Sequence, residues 1–185
     1  MKYENYTYKT KDVINYLSNY KHDISHLVVL HTDIRPISSY TTSLSPQFID
    51  NIGQHVRWFK NRLNQTVGGK KAIKNSSSQL LFIPTLEGTQ DIGDEKLTCH
   101  LNLALGRLPD WLKDDDLKLK AILQESWLKA GCLNIHSNRK LNQMTTEQLF
   151  VERVKSTADA DRWINYILKE GINSWDVCNT QLPKI

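Results

Sequence analysis

The stretch that most limits the fold lies at residues 97–105. There Leu97, Cys99, Leu101, Leu103 and Leu105 alternate strictly with Thr98, His100, Asn102 and Ala104. A helix would scatter these leucines around its circumference. A strand sets them on one face and the mainly polar set on the other. The chain must therefore contain a sheet with a leucine face turned to a core. An apolar run at residues 80–83, Leu-Leu-Phe-Ile, predicts a second strand ending near residues 84–88. Residues 89–96, with Gly93 and several acids, suit a hairpin connection between the two. The run Leu27-Val28-Val29-Leu30-His31 predicts a further, buried strand.

Helices are expected between these strands. Val13, Ile14, Tyr16, Leu17 and Tyr20 define one apolar face of a short helix within residues 10–20. Ser45-Pro46 is a helix start, with Ser as the cap and Pro in the first turn. Phe48, Ile49, Ile52, Val56, Phe59 and Leu63 continue it at helical spacing, and Gly68-Gly69 stops it before a polar, Ser-rich loop at residues 70–78. Asp114-Asp115-Asp116 places negative charge where a helix dipole favours it. Leu117, Leu119, Ile122, Leu123 and Trp127 follow, with Gly131 at the end. Residues 133–141 predict another strand. Residues 159–170 predict a final helix with Trp163, Ile164 and Ile167 on its apolar side, closed by Gly171. The order strand, helix, strand, strand, helix, strand, helix predicts an α+β fold, a central antiparallel sheet flanked by helices.

With 185 residues, 39% of them hydrophobic and 24% charged, the chain suits one globular domain. No apolar run reaches the roughly 18 residues of a membrane span, and the start, Met1-Lys2-Tyr3-Glu4-Asn5-Tyr6, lacks the apolar core of a secretion signal. Three widely spaced cysteines, Cys99, Cys132 and Cys178, offer neither a CxxC pair nor a disulfide framework. A reducing, cytoplasmic setting without membrane contact is expected. The net charge of +4 permits nucleic-acid binding without requiring it.

Two groups of residues could carry chemistry. His100 and Asn102 share a strand face, and Glu87 closes the preceding strand, so a hairpin would bring the three together. One carboxylate, one imidazole and one amide oxygen suit a hard divalent ion such as Mg²⁺ or Mn²⁺. On spacing alone, the polar outer face of a half-exposed sheet is the favoured account. Tyr166 and Lys169 are three apart on the predicted last helix, with Glu170 nearby. A tyrosine can attack phosphorus when a cation steadies the charge. Taken in isolation, a half-buried Tyr166 beside Trp163, with Lys169 and Glu170 solvated, is favoured there too.

In combination the two groups form an ordered series. Leu81-Phe82-Ile83-Pro84-Thr85-Leu86-Glu87, then Cys99-His100-Leu101-Asn102-Leu103-Ala104-Leu105, then Asn165-Tyr166-Ile167-Leu168-Lys169-Glu170-Gly171 resembles the carboxylate strand, histidine strand and nucleophile helix of the HUH endonucleases. These are the rolling-circle replication initiators and their mobile-element relatives. The resemblance spans roughly residues 26–171. It implies one endonuclease domain over residues 1–185, on a ferredoxin- or RRM-like palm. Residues 1–25 would be a helical extension, 26–171 the catalytic core and 172–185 a tail. It further implies a metal held by Glu87, His100 and Asn102, with Glu170 as an added ligand. Tyr166 would be the nucleophile, with Lys169 positioning the DNA or its phosphate. The implied activity is nicking and joining of single-stranded or hairpin DNA through a 5′-phosphotyrosine, initiating replication of a plasmid, phage or mobile element.

One departure stands out, since Asn102 occupies the place of the family's usual second His. An amide oxygen also binds a hard cation. Three alternatives stay open: a single-tyrosine transposase, a non-catalytic DNA-binding protein on the same fold, and an unrelated α+β domain whose motifs match by chance. No Walker sequence is present, and a host helicase could serve an initiator. His31 and His136 are assigned to the sheet and not to the ligand set. The other tyrosines, Tyr3, Tyr6, Tyr8, Tyr16, Tyr20 and Tyr40, lie outside any Tyr-x-x-Lys context. Lys70, Lys71, Lys74, Arg139 and Lys140 are taken as a solvated face with phosphate contact as the alternative.

Overall fold

The computed structural model describes residues 9–31, 46–72, 78–87, 100–130, 149–169 and 175–182, apart from the side chains of residues 46–51 and 71. The elements run α1 (Thr10–Ser18), β1 (Ile24–His31), α2 (Pro46–Ala72), β2 (Leu81–Glu87), β3 (His100–Gly106), α3 (Asp110–Lys113), α4 (Asp116–Lys129), β4 (Leu149–Arg153) and α5 (Thr157–Ile167). The four strands form one sheet in the order β2-β3-β1-β4, each neighbouring pair antiparallel. From β1 onward the chain thus alternates β-α-β-β-α-β, with β3 inserted between β1 and β2, the split βαβ arrangement.

The leucine face behaves as its alternation demands. Leu101, Leu103 and Leu105 lie in a buried cluster with Val28, Leu30, Phe82 and Leu149 of the other strands. Val56, Phe59 and Leu63 of α2 and Leu119, Leu123 and Trp127 of α4 cover it. Phe59 sits edge-on to both Phe82 and Trp127, with ring centroids 5.9 and 5.1 Å away. The opposite face is also covered, and so is not the half-exposed polar surface that spacing alone favoured. Leu27, Ile83 and Ala104 pack there beneath Val13 and Leu17 of α1 and Ala160, Ile164 and Ile167 of α5.

Local chemistry sets several boundaries. Helical backbone in α2 breaks at Gly69, at φ 73°, a region closed to most side chains. Residues 70–72, expected in a loop, resume helical structure beyond it. Asp115 caps α4, its side chain accepting from the Lys118 N–H at 2.9 Å. The short α3 was not expected. The fourth strand is built from Leu149–Arg153; the expected strand at residues 133–141 lies outside the described residues, as do Gly131 and the hairpin connection. A five-residue edge strand containing Glu152 and Arg153 carries too little apolar alternation to stand out. The last helix ends at Ile167 and not at residue 170, with Lys169 in the turn beyond it and its N–H bonded to the Tyr166 carbonyl at 3.0 Å.

Residues 175–182, set apart as a tail in the sequence reading, pair with the outer edge of β2. Phe82 and Gln181 exchange both backbone bonds at 2.9 and 2.8 Å, and the Asp176 N–H donates to the Pro84 carbonyl at 3.1 Å. The Pro84 carbonyl points to this edge, so the ring nitrogen that lacks a proton faces outward too, away from the β3 ladder. Asn179 ties the segment to α2, donating to the Gly53 carbonyl at 2.8 Å and accepting from Lys60 through its own carbonyl at 3.1 Å.

Behind β1, His26 is fully buried, 3.3 Å from Asp116, whose carboxylate also takes Arg153 at 2.8 Å. Burial pushes the His26 pKa below its ordinary 6.5, against the opposing pull of Asp116. The unfolded chain therefore binds this proton more readily than the folded one. The stabilising contribution is complete above pH 6.5 and is lost as pH falls toward the folded-state value. Thermal melts between pH 7.5 and 5.5 are expected to show a falling midpoint in the wild type and a flatter profile in His26→Gln. Parallel profiles would show that another group carries the dependence.

Candidate functional site

Three strands set Glu87, His100 and His31 in one row. Glu87 pairs with His100 across β2 and β3, and His31 pairs with His100 across β1 and β3. Residues opposite one another in antiparallel strands share a face, with Cβ atoms roughly 4.5–5.5 Å apart. The next row on this face is Thr85, Asn102, Val29 and Phe150. The apolar row of Ile83, Ala104 and Leu27 under α1 and α5 follows. The site therefore lies at the end of the sheet where the second core stops.

A bulge creates this register. Ile24 opposes Gly106, but His26 opposes Leu105, so β1 carries one extra residue at Ser25. Without it Leu30 would stand opposite His100. With it the two imidazoles meet edge to face, ring centroids 4.2 Å apart.

Asn102 is only 2% exposed, and its amide nitrogen donates to Glu87 Oε2 at 2.9 Å. Glu87 Oε1 forms an ion pair with Lys169. The Lys169 ammonium also stands over the Tyr166 ring, 4.1 Å from its centroid. Tyr166 in turn stacks on Trp163, centroids 5.3 Å apart and planes inclined by 23°, and is 44% exposed. Tyr166, Lys169, Glu87 and Asn102 thus form a continuous chain of contacts reaching from the end of α5 to the middle of the sheet.

Burial alone would raise the Glu87 pKa, yet hydrogen bonds from Lys169 and Asn102 outweigh it and hold the carboxyl below its usual value. Burial likewise opposes the Lys169 charge, and its bonds to Glu87 and contact with Tyr166 overcome that and raise its pKa. Lys169→Met is expected to move the Glu87 titration midpoint upward, because desolvation then acts with one fewer opposing partner. Carbon-detected NMR of the glutamate carboxyls reads this directly; an unmoved midpoint would mean that Lys169 is not Glu87's partner in solution.

Five of the six residues singled out from sequence, Glu87, His100, Asn102, Tyr166 and Lys169, are brought to one end of the sheet. The sixth, Glu170, lies outside the described residues. Among the described residues, no three His, Cys, Asp or Glu side chains stand converged on a single point. His31, assigned to the sheet from sequence, stands in the same row opposite His100. Its parity with Leu27 and Val29 put it on a definite strand face, but its partner depends on the bulge. A scan of protein-family models, a search of curated proteins and a search of solved structures each find no match to the chain.

Proposed function

We propose that this chain is a metal-dependent endonuclease that nicks and rejoins single-stranded DNA through Tyr166, in the manner of the HUH enzymes its motifs resemble. The observation that carries this reading is Lys169, which touches both the exposed phenol of Tyr166 and the carboxylate of Glu87. A phenol, a cation and a carboxylate–imidazole row that share one end of the sheet support this reading. The split βαβ topology is compatible with the family's palm.

The donor types of the residues present are ones a divalent ion takes. Glu87 and His100 offer an oxygen and a nitrogen, and the Lys169 ammonium already occupies one carboxylate oxygen, as a cation would. The buried Thr85 hydroxyl, opposite Asn102, has no hydrogen-bond partner among the described residues. Mg²⁺ or Mn²⁺ bound there would supply Lewis-acid polarisation of the scissile phosphate. Asn102 bonds the Glu87 carboxylate through its amide nitrogen, and its amide oxygen stays a candidate ligand. Glu170 stays a candidate ligand through the resemblance alone.

Tyr166 attacks the phosphorus: the Oη–P bond forms, the P–O3′ bond breaks, and the phenolic proton ends on the 3′ oxygen. The products are a 5′-phosphotyrosine and a free 3′-hydroxyl, and the reverse reaction rejoins the strand without ATP. Lys169 offsets the negative charge developing between the Tyr166 oxygen and the phosphate. Phe150, half exposed in the row of Asn102, offers an aromatic surface on which an unpaired base can stack. The biological setting would be initiation of rolling-circle replication or single-tyrosine transposition.

Incubation with a library of single-stranded oligonucleotides and Mn²⁺ tests the reading on a denaturing gel. Covalent adducts are expected, absent in chelator and reduced at least about 100-fold in His100→Ala. Adducts that persist at wild-type level in that variant would overturn it. The engagement of Glu87 by Lys169 favours one other reading, a DNA-binding protein on the same fold that does not cut. Salt-sensitive binding to single strands without any adduct would establish that one instead.

A further inference from the structure

We infer that the outward face of α2 is a docking surface for single-stranded nucleic acid, separate from the site at the sheet end. The helix covers the leucine face of the sheet, whereas Glu87, His100 and Asn102 lie on the opposite face. The first observation is charge. Residues 51–86 contain Arg57, Lys60, Arg62, Lys70, Lys71 and Lys74 and not one Asp or Glu. A face built only for solubility ordinarily mixes both signs.

The second observation is how α2 divides its side chains. Ile52, Val56, Phe59 and Leu63 are buried on the core side. Gln54, Arg57, Trp58, Asn61 and Arg62 are exposed on the other. Gln54, Trp58 and Asn61 recur at intervals of four and three and so form one stripe, with Arg57 on one flank and Arg62 on the other. Lys60 stands apart, its ammonium donating to the Asn179 carbonyl at 3.1 Å. Among the described residues no salt bridge engages Arg57 or Arg62. Glu125 of α4, at the border of this face, is paired with Lys129.

The third is Trp58, 50% exposed between these cations. Its ring meets His55 edge-on, with centroids 5.2 Å apart and planes inclined by 71°. His55 is bonded in turn to the Ala130 backbone at the end of α4. The indole is therefore oriented before any ligand arrives.

An aromatic ring flanked by cations suits a strand with unstacked bases between its phosphates. Arg57 and Arg62 are about 7.5 Å apart along the helix axis, so two phosphates of one strand can be held with a base on Trp58. The Gln54 and Asn61 amides offer donors and acceptors to its edge. A duplex keeps its bases stacked away from the indole. A membrane surface would ask for an apolar stripe, and Trp58 is the one apolar residue in this one.

The test uses the full chain and a short fluorescent oligothymidylate, in chelator so that no strand is cut. Binding is expected to weaken at least about 5-fold in Trp58→Ala and to be largely restored in Trp58→Phe, because stacking needs a ring and not an indole. In Arg57→Gln/Arg62→Gln the slope of log affinity against log salt should flatten by about 1.4, or about 0.7 for each phosphate released. Bromouracil placed in the same strand should cross-link to the peptide containing Trp58. All three positions are exposed, so thermal melts should find each variant folded. Unchanged affinity in Trp58→Ala, an unchanged slope in the arginine variant, or cross-links confined to other peptides would each overturn the inference. So would tighter binding of the same strand in a duplex, or equal binding of polyglutamate, which would mark a site for an acidic protein. Weakened binding in these variants, with no adduct at Tyr166 in Mn²⁺, would uphold this face and remove the nuclease reading. Adducts from a protein whose α2 variants bind as the wild type does would do the reverse.

Discussion

Tyr166→Phe is expected to yield a folded protein that binds DNA and forms no covalent adduct with it. The substitution removes one oxygen and keeps the ring. The stack on Trp163 and the Lys169 contact above the ring need only the aromatic face, so both survive. Little is lost in stability because Tyr166 is substantially exposed. The loss in adduct formation should be at least about 10³-fold, since no other group can replace a missing nucleophile. Phenols are weak nucleophiles at neutral pH, so position is what singles one out. Among the tyrosines described, Tyr16 and Tyr20 pack against each other at α1, with centroids 5.8 Å apart, and Tyr166 is the one beside Lys169 and Glu87. Mass spectrometry of a digested wild-type adduct should place the nucleotide on the peptide containing Tyr166. A nucleotide on another tyrosine, or wild-type cutting by Tyr166→Phe, would remove Tyr166 from the mechanism.

The second large effect is on stability, at a position far from the chemistry. Gly106→Ala should destabilise the protein by more than the roughly 1–3 kcal/mol of ordinary overpacking. A Cβ at Gly106 would lie 1.8 Å from the Asp23 carbonyl oxygen and 2.8 Å from its carbon. Both are backbone atoms, and no rotamer change can move them aside. Gly106 is paired on both sides, with Ile24 and with Leu81, at the point where the β1 bulge begins. Relief would require β1 to part from β3 there, which would also endanger the register that sets His31 opposite His100. Gly53→Ala supplies the contrast. Its Cβ would have Asn179 Nδ2 at 3.8 Å, an ordinary contact, and α2 would gain up to about 1 kcal/mol of helix propensity. Urea denaturation should show a strongly lowered midpoint for Gly106→Ala and an unchanged or raised one for Gly53→Ala. A Gly106→Ala midpoint within error of wild type would mean the strands do not approach this closely.

A cluster at one end of the sheet was partly legible before the structure. His100 and Asn102 share a face because a strand has a period of two, and that argument needs no partner strand. Tyr166 and Lys169 meet because three residues nearly close a helical turn, even though Lys169 falls just beyond the end of α5. The covering of the second sheet face was not legible. Ala104 amid the polar positions and the modest apolar stripe of α1 only become a core once α5 lies against them. Nor was β4, whose alternation is too short and too charged to separate from a loop.

Local periodicity, then, determined which side chains share a face, roughly where the longer helices begin, and that a leucine face must be buried. These properties depend on near neighbours in the chain, and every residue involved is present in the local sequence. Tertiary structure alone decided what each face meets. Strand register joins residues far apart, His31 and Glu87 each with His100, and the packing of α5 brings Lys169 to Glu87. It turns on a single extra residue at Ser25 and a close backbone contact between Gly106 and Asp23. A slip of one residue reverses every side chain's face, so no reading of separate segments could have put His31 opposite His100, or shown that the buried Asn102 donates to Glu87.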